Sequence, residues 1–262
     1  MKIKLGCDPE AFLMDVHGQL KSSIGLIGGS KEVPRPLPLG EGYAVQEDNV
    51  ALEFNIPPAE GRSQFVSSIR NTLNFLTEMV GGQYGFTIAQ ISAASFPVSE
   101  LNTPEAHIFG CDPDYNAWTK DVNPSPKAED KALRSCGGHV HVGFDKGSVE
   151  STTLIRQMDL HLGVPAVLMD KGLLRKELYG KAGAFRDKVY GAEYRTLSNF
   201  WIFNDRLIEW VWDNTSRAVA AVESQLAISN EDEADIIKAI NTNDIAIAEK
   251  LIKKFNLEVV HV

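Results

Sequence analysis

Ser135-Cys136-Gly137-Gly138-His139-Val140-His141-Val142-Gly143-Phe144 alternates Val140, Val142 and Phe144 with His139, His141 and Gly143. A period of two reads as a β-strand with one apolar and one polar face. The two imidazoles then share the polar face, about 6–7 Å apart along the strand. One reading is a half-solvated strand with two chance histidines. The other is a strand that presents both rings to something bound.

The same pattern recurs elsewhere in the chain. Asp8 and Glu10 lie two apart in Leu5-Gly6-Cys7-Asp8-Pro9-Glu10-Ala11-Phe12-Leu13. In Asn49-Val50-Ala51-Leu52-Glu53-Phe54-Asn55-Ile56, Val50, Leu52, Phe54 and Ile56 form an apolar face and Asn49, Glu53 and Asn55 the other. Glu193 and Arg195 are again two apart in Ala192-Glu193-Tyr194-Arg195-Thr196-Leu197. A sheet face that gathers Asp8, Glu10, Glu53, Glu193, His139 and His141 concentrates like charges that repel and resist desolvation. Bound metal relieves this, and an oxygen-rich set with few nitrogens suits Mg²⁺ or Mn²⁺ better than zinc.

The chain has 262 residues, 44% of them hydrophobic, enough for one large domain or two small ones. Its net charge of −9 and the lack of a basic stripe argue against a nucleic-acid partner. Met1 to Glu10 has no apolar leader, and no run reaches transmembrane length, so the expectation is a cytoplasmic protein with no membrane partner. Cys7, Cys111 and Cys136 are odd in number and lack CxxC spacing, which favours reduced thiols.

Strands are expected at 3–7, 10–16 and 49–56, with a hairpin turn at Val16 to Leu20. The Gly- and Pro-rich stretch from Gly25 to Gly42 is a surface loop, either a binding loop or a plain connector. Arg62 to Val80 carries an apolar helical stripe, with Ser63 as N-cap and Gly81-Gly82 as its stop. A strand is expected within 86–98. Gly110-Cys111-Asp112-Pro113-Asp114 nearly repeats Gly6-Cys7-Asp8-Pro9-Glu10 and reads either as a site loop or as a simple Asp-Pro turn. Lys131 and Arg134, just before the histidine strand, could meet phosphate or could be solvated. Ser148 to Lys171 is helical, with Ser148 or Ser151 near its start and Pro165 kinking or splitting it, and His161 there is an ordinary helix residue. Leu173 to Tyr190 is the one locally basic, glycine-containing loop, and its place before the Glu193/Arg195 strand favours phosphate binding. A long helix from about Phe200 to Leu226 and helices at 231–240 and 243–255, the last capped by Asn243 or Thr242, complete the chain. No linker divides it, so the expected fold is a single α+β domain over residues 1–262 with an antiparallel sheet.

Gly6-Cys7-Asp8-Pro9-Glu10, Glu47 to Asn55, Gly137 to Gly143 and Tyr190-Gly191-Ala192-Glu193-Tyr194-Arg195 together resemble the phage-type amidoligases, or carboxylate–amine ligases, of the glutamine synthetase and glutamate–cysteine ligase superfamily. The resemblance spans roughly residues 3 to 215, with the motifs in order. It implies a glutamine synthetase-like fold: an antiparallel sheet curled around an ATP site, with helices packed on its outer face. Asp8, Glu10, Glu53, Glu193 and His141 would hold Mg²⁺. Asp8 departs from the Glu-x-Glu of glutamate–cysteine ligases. Arg195, Arg186, Lys188, His139 and His141 would meet the nucleotide, and Arg134 joins them by its position before the histidine strand. Arg195, Arg186 and Glu53 would be catalytic. The implied reaction forms an amide through an acyl phosphate, releasing ADP, from a small-molecule or peptide carboxylate and an amine or ammonia. For a phage-encoded protein the compartment would be the host cytoplasm. Substrate choice would lie in loops 25–42 and 110–130; the sequence does not disclose the substrates or the oligomeric state. Two rivals remain: a zinc hydrolase using His139 and His141, and a nucleotide-binding module without catalysis.

Overall fold

The structure is a computed structural model and describes residues 2–108, 114–145 and 149–261. The strands are β1 (Lys4–Cys7), β2 (Glu10–Met14), β3 (Leu20–Lys21), β4 (Arg35–Pro36), β5 (Ala44–Asp48), β6 (Ala51–Asn55), β7 (Thr87–Ala89), β8 (Ala93–Ser95), β9 (Tyr115–Asn116), β10 (Leu133–Ser135), β11 (Val140–Gly143), β12 (Ala184–Lys188) and β13 (Gly191–Tyr194). The α-helices are α1 (Arg62–Tyr84), α2 (Ser151–Met158), α3 (Val164–Met169), α4 (Asp205–Glu223), α5 (Asn230–Thr242) and α6 (Ile245–Phe255). The fold mixes helices with antiparallel sheets.

The expected single sheet is divided. One sheet runs β1-β11-β13-β12-β9, a second runs β3-β2-β6-β5-β4 with β7 also on β2, and β8 and β10 form a separate ribbon. The division falls at Asp8-Pro9, because proline has no N–H for a ladder and turns the chain from the first sheet into the second. The seam stays bonded. Leu5 and Ala59 exchange N–H···O bonds of 2.9 and 2.7 Å, Glu10 N donates to Gly137 O at 2.9 Å, and Phe54 N donates to Pro9 O at 3.2 Å. The two sheets therefore curl into one continuous wall.

Register decides which side chains meet, since directly opposed residues project from the same face. Gly6, His141, Glu193 and Arg186 form one cross-strand row. Glu10, Glu53 and Gln46 form another. The alternate residues Leu5, Cys7, Val140, Val142, Ala192 and Tyr194 are buried in the main core with α1, α2 and α4 residues such as Phe65, Leu154 and Val211. Each such apolar side chain contributes about 1.5–3 kcal/mol of burial. A second core joins Leu160, Val164 and Val167 to Ile236, Ile240 and Leu251 of α5 and α6.

Several boundaries differ from the sequence reading. Helix α1 continues through Gly81-Gly82 and closes at Gly85, whose left-handed φ of 69° lets its N–H bond Gly81 O and Val80 O. Two interior glycines cost only about 1 kcal/mol each, which the stripe ending at Val80 offsets. Ser63 lies inside the helix, and Gly61 is the N-cap. The helix break expected at Pro165 is a π turn over Asp159–Gly163, where Val164 N–H reaches back to Asp159 O. Pro165 donates nothing to the preceding turn, and the wider turn absorbs that. The expected helix from Phe200 is a 3₁₀ turn at Asn199–Phe203 followed by α4, capped by Asn204. Asp244 caps α6, while Asn243 closes α5 in the left-handed region. The strand at 86–98 is two short strands, β7 and β8. The 173–190 stretch is not all loop: it holds a 3₁₀ turn at Leu173–Glu177 and strand β12, which forms a hairpin with β13.

Cys7 and Cys136 are free, buried thiols; Cys111 lies outside the described residues, as does most of the repeated 110–114 motif. Among the described residues no helix is long and apolar enough to cross a membrane.

Candidate active site

The polar faces of both sheets open into one cavity of about 680 Å³. Asp8, His139, His141, Arg186, Lys188 and Arg195 line it from the first sheet and its continuations, and Glu10, Gln46, Asp48, Glu53 and Asn55 from the second. Ser30, Lys31 and Pro34 of the 25–42 loop form part of its wall.

The first cluster centres on Glu193, which is fully buried on β13. Its Oε2 lies 2.7 Å from Lys188 Nζ, and its Oε1 pairs with Arg195 Nη1 and lies 3.6 Å from Arg186 Nη1. Asp8 Oδ1 sits 3.2 Å from His139 Nδ1 and 3.0 Å from His141 Nε2. Asp8 Oδ1 and His141 Nε2 are buried, yet neither has an aligned hydrogen-bond partner. Burial raises the Glu193 carboxyl, but Asp8 aside, its neighbours are cations and imidazoles, and Arg195 with both histidines brings it down to about 2. Burial likewise opposes ionised Asp8, but His141 and His139 hold it well below the usual carboxylate range. Burial, reinforced by Arg195, lowers His139 to about 4. Burial also disfavours charged His141, but Asp8 outweighs it and raises that ring. Tyr190 OH lies 2.6 Å from His141 Nδ1 and orients that ring.

The second cluster has a different character. Glu10 and Glu53 are direct cross-strand partners, and Asp48 completes a trio of carboxylates. Gly137 N donates to Glu10 Oε2 at 2.7 Å, and Gln46 Nε2 donates to Glu53 Oε1 at 2.7 Å. A Cβ on Gly137 would stand 2.2 Å from His139 Nε2, so only glycine lets this backbone bond Glu10 beside that ring. Burial and the Asp48 charge push Glu10 up to about 7. Burial, with the charges of Asp8, Asp48 and Glu10, pushes Glu53 well above its ordinary value.

Both clusters can hold a divalent cation. In each, one ligand atom per residue lies within 4.8 Å of the others: Asp8, His141 and Glu193 in the first, Glu10, Asp48 and Glu53 in the second. Carboxylates with at most one imidazole are a hard donor set, suited to Mg²⁺ or Mn²⁺. The unaligned Asp8 Oδ1 and His141 Nε2 are polar atoms that a cation at the first cluster would satisfy.

The five metal-ligand candidates all reach this cavity or lie directly beneath it, but they divide between two groups. Arg195, Arg186 and Lys188 surround Glu193, and His139 sits between Asp8 and Arg195. Arg134 is different. It touches the cavity wall, but its guanidinium donates to Asn49 Oδ1 and to the carbonyls of Ala106, Lys131 and Leu133. It thereby pins the 104–108 turn onto the β5–β6 hairpin.

Asp48, at the end of β5 and two residues from Gln46, is a site residue that strand period alone places on the polar face but that no motif marks. Arg175 and Tyr179 also line the cavity. Arg175 is buried and donates to Thr196 O and Arg195 O at 3.1 and 3.2 Å, which braces the backbone at Arg195. Asp114 Oδ2 lies 3.8 Å from Arg195 Nε, a contact that no local pattern announces.

A family model described as phage phiEco32-like COOH.NH2 ligase-type 2 matches residues 130–260, half of the chain. The matched stretch takes in His139, His141, Arg186, Lys188, Glu193 and Arg195, the first cluster except Asp8. That places the molecule in the class of carboxylate–amine ligases. The chain belongs to this phage-type ligase family. No curated protein matches it.

Proposed function

We propose that this protein is an ATP- and Mg²⁺-dependent carboxylate–amine ligase, ADP-forming, with residues 1–262 acting as one glutamine synthetase-like catalytic domain. The observation that carries the reading is the convergence, on one cavity, of an Arg186–Lys188–Arg195 cation group and two carboxylate clusters.

A carboxylate does not condense with an amine in water. In the proposed reaction a carboxylate oxygen attacks the γ-phosphorus of ATP, and the bond from that phosphorus to the β,γ-bridging oxygen breaks. ADP leaves, and the carboxylate becomes an acyl phosphate. The amine nitrogen then attacks the acyl carbon, phosphate departs, and the nitrogen loses a proton to give the amide. Arg195, with Arg186 and Lys188, would bind the phosphates and offset charge that grows during transfer. His139, next to Arg195 and kept neutral by burial, fits a hydrogen-bonding role toward the same phosphates. Asp8, His141 and Glu193 would hold one Mg²⁺, and Glu10, Asp48 and Glu53 a second. The ions would supply Lewis-acid neutralisation of the phosphate oxygens. The curled wall and the 25–42 loop would exclude water from the acyl phosphate.

The same Asp8/His139/His141 group could instead take zinc for hydrolysis, so metal content is measured with turnover. The test incubates purified protein with ATP, Mg²⁺ and pools of carboxylates and amines, and identifies the nucleotide product. Carboxylate-dependent ADP and phosphate are expected, falling by about 10³-fold in Arg195→Ala and Glu53→Gln. AMP and pyrophosphate, or stoichiometric zinc with amide hydrolysis, would overturn the reading. ATP binding with no turnover in any pool would favour the non-catalytic module.

A further inference from the structure

Asp159 is fully buried on the side of β13 away from the cavity, where the π turn between α2 and α3 begins. Its carboxylate accepts four hydrogen bonds. Trp118 Nε1 donates at 2.7 Å and Gly183 N at 2.5 Å to Oδ2; Tyr194 OH donates at 2.8 Å and Thr196 Oγ1 at 3.1 Å to Oδ1. Tyr194 and Thr196 alternate with Glu193 and Arg195 along the same chain segment. Gly183 leads into β12, which carries Arg186 and Lys188, and Trp118 follows β9. One carboxylate therefore ties the back of every first-sheet segment that delivers a cation to Glu193.

A purely packed position would be served by an apolar side chain, because a buried carboxylate costs desolvation unless its bonds are complete. Here they are complete, and the surroundings are shaped to permit it. A Cβ on Gly163, at the end of the π turn, would stand 2.9 Å from Tyr194 OH and 3.4 Å from Asp159 Oδ1. Asp159 also opens the π turn, and such turns are frequent at functional sites.

We propose that Asp159 is a positioning residue for the site, holding Tyr194, Thr196 and Gly183 so that Glu193, Arg195 and the β12 cations keep the geometry of the first cation site. The inference rests on the reading of Glu193 as a ligand in that site, and not on which carboxylate or amine is joined. Outer partners of metal ligands commonly change metal affinity by about 10–100-fold.

The test is Asp159→Asn, which keeps the shape but sets an NH₂ against a donor. Mn²⁺ affinity is read by electron paramagnetic resonance and backbone hydrogen exchange by mass spectrometry. A control, Asn214→Ala, removes a buried side chain of α4 that bonds Trp210 O. In Asp159→Asn the Mn²⁺ dissociation constant should rise about tenfold, with faster exchange confined to 184–197. Asn214→Ala should lower the melting temperature and leave both readouts as in wild type. If Asp159→Asn does not fold, Thr196→Val removes one of the four donors and should move both readouts the same way, about threefold. Mn²⁺ affinity within twofold of wild type in the folded variant overturns the inference, whatever the exchange shows. Mn²⁺ binding that weakens in the variant, in a wild-type protein that never forms ADP, leaves the inference standing and removes the ligase reading. A wild-type protein that binds no Mn²⁺ removes the metal reading and the inference with it.

Discussion

The two carboxylate clusters gather at one cavity, yet the protein treats them in opposite ways. Around Glu193 it supplies its own positive charge: Arg195, Arg186 and Lys188. Around Glu53 it supplies a hydrogen bond from Gln46 and further carboxylates, Asp48 and Glu10, the latter bonded by Gly137 N–H. Glu193 is brought down to about 2, while Glu10 is pushed up to about 7. The first cluster is largely balanced within the chain and would need a cation only to complete the contacts of Asp8 and His141, whereas the second has a larger deficit of positive charge that a bound cation would offset. The same residue type is thus held in opposite protonation tendencies, and the neighbouring charges decide which.

The sharpest way to break this comparison is to neutralise Glu193. Glu193→Gln leaves Arg195 and Lys188 without their carboxylate in a buried setting and should destabilise by about 3–5 kcal/mol in urea unfolding at pH 7. The sign follows from its lowered value. The contribution is present above the unfolded value of 4.5 and is lost as pH falls toward about 2. A neutral outcome would mean that the first cluster is not balanced as described.

Cation binding comes next in size. Mg²⁺ at a hundredfold over its dissociation constant should stabilise by about 2.7 kcal/mol, several degrees of melting temperature. The gain should be larger at pH 8 than at pH 5.5. Glu10 is raised from 4.5 to about 7, so without metal its contribution is present below 4.5 and lost as pH rises through about 7. Mg²⁺ binds the ionised form, and protons compete with it at the lower pH. Equal shifts at both pH values, read by thermal melting, would remove the contrast between the clusters.

Glu53→Gln should have the smallest effect on stability and the opposite sign from Glu193→Gln. It removes a carboxylate that Asp8, Asp48 and Glu10 all repel, and should raise the metal-free stability at pH 8 by about 1 kcal/mol. The same variant should lose the Mg²⁺-induced shift. Gain without metal and loss with it, in one protein, would sharpen the division between a balanced cluster and a receptive one.

Much of the site was legible in the chain because strand period is local. Alternation alone assigned His139 and His141 to one face, and Glu53 and Asn55 to another. The grouping was not legible. Asp8 and Glu10 are two residues apart in sequence, yet Pro9 turns the chain between them, and they serve different sheets and different clusters. Arg134 illustrates the converse. A cation beside the histidine strand suits a phosphate, but its donors are taken by carbonyls from the 104–108 and 131–133 segments, which no local pattern brings near it.

The sequence by itself determined the kinds of chemistry available: strands with one polar face, amphipathic helices, acids and imidazoles at a spacing of two, and the motif order of a ligase family. These follow from the periods of 2 and 3.6 and are carried by neighbours along the chain. Only the tertiary structure decided which acids come together, that Asp48 joins Glu10 and Glu53, and that Asp159 bonds Tyr194 and Thr196 behind the Glu193–Arg195 strand. Those outcomes depend on the register between strands that are tens of residues apart or, for β1 and β11, more than a hundred, and a one-residue slip would invert it. Register is set by the whole packed core, so it cannot be read from any single stretch.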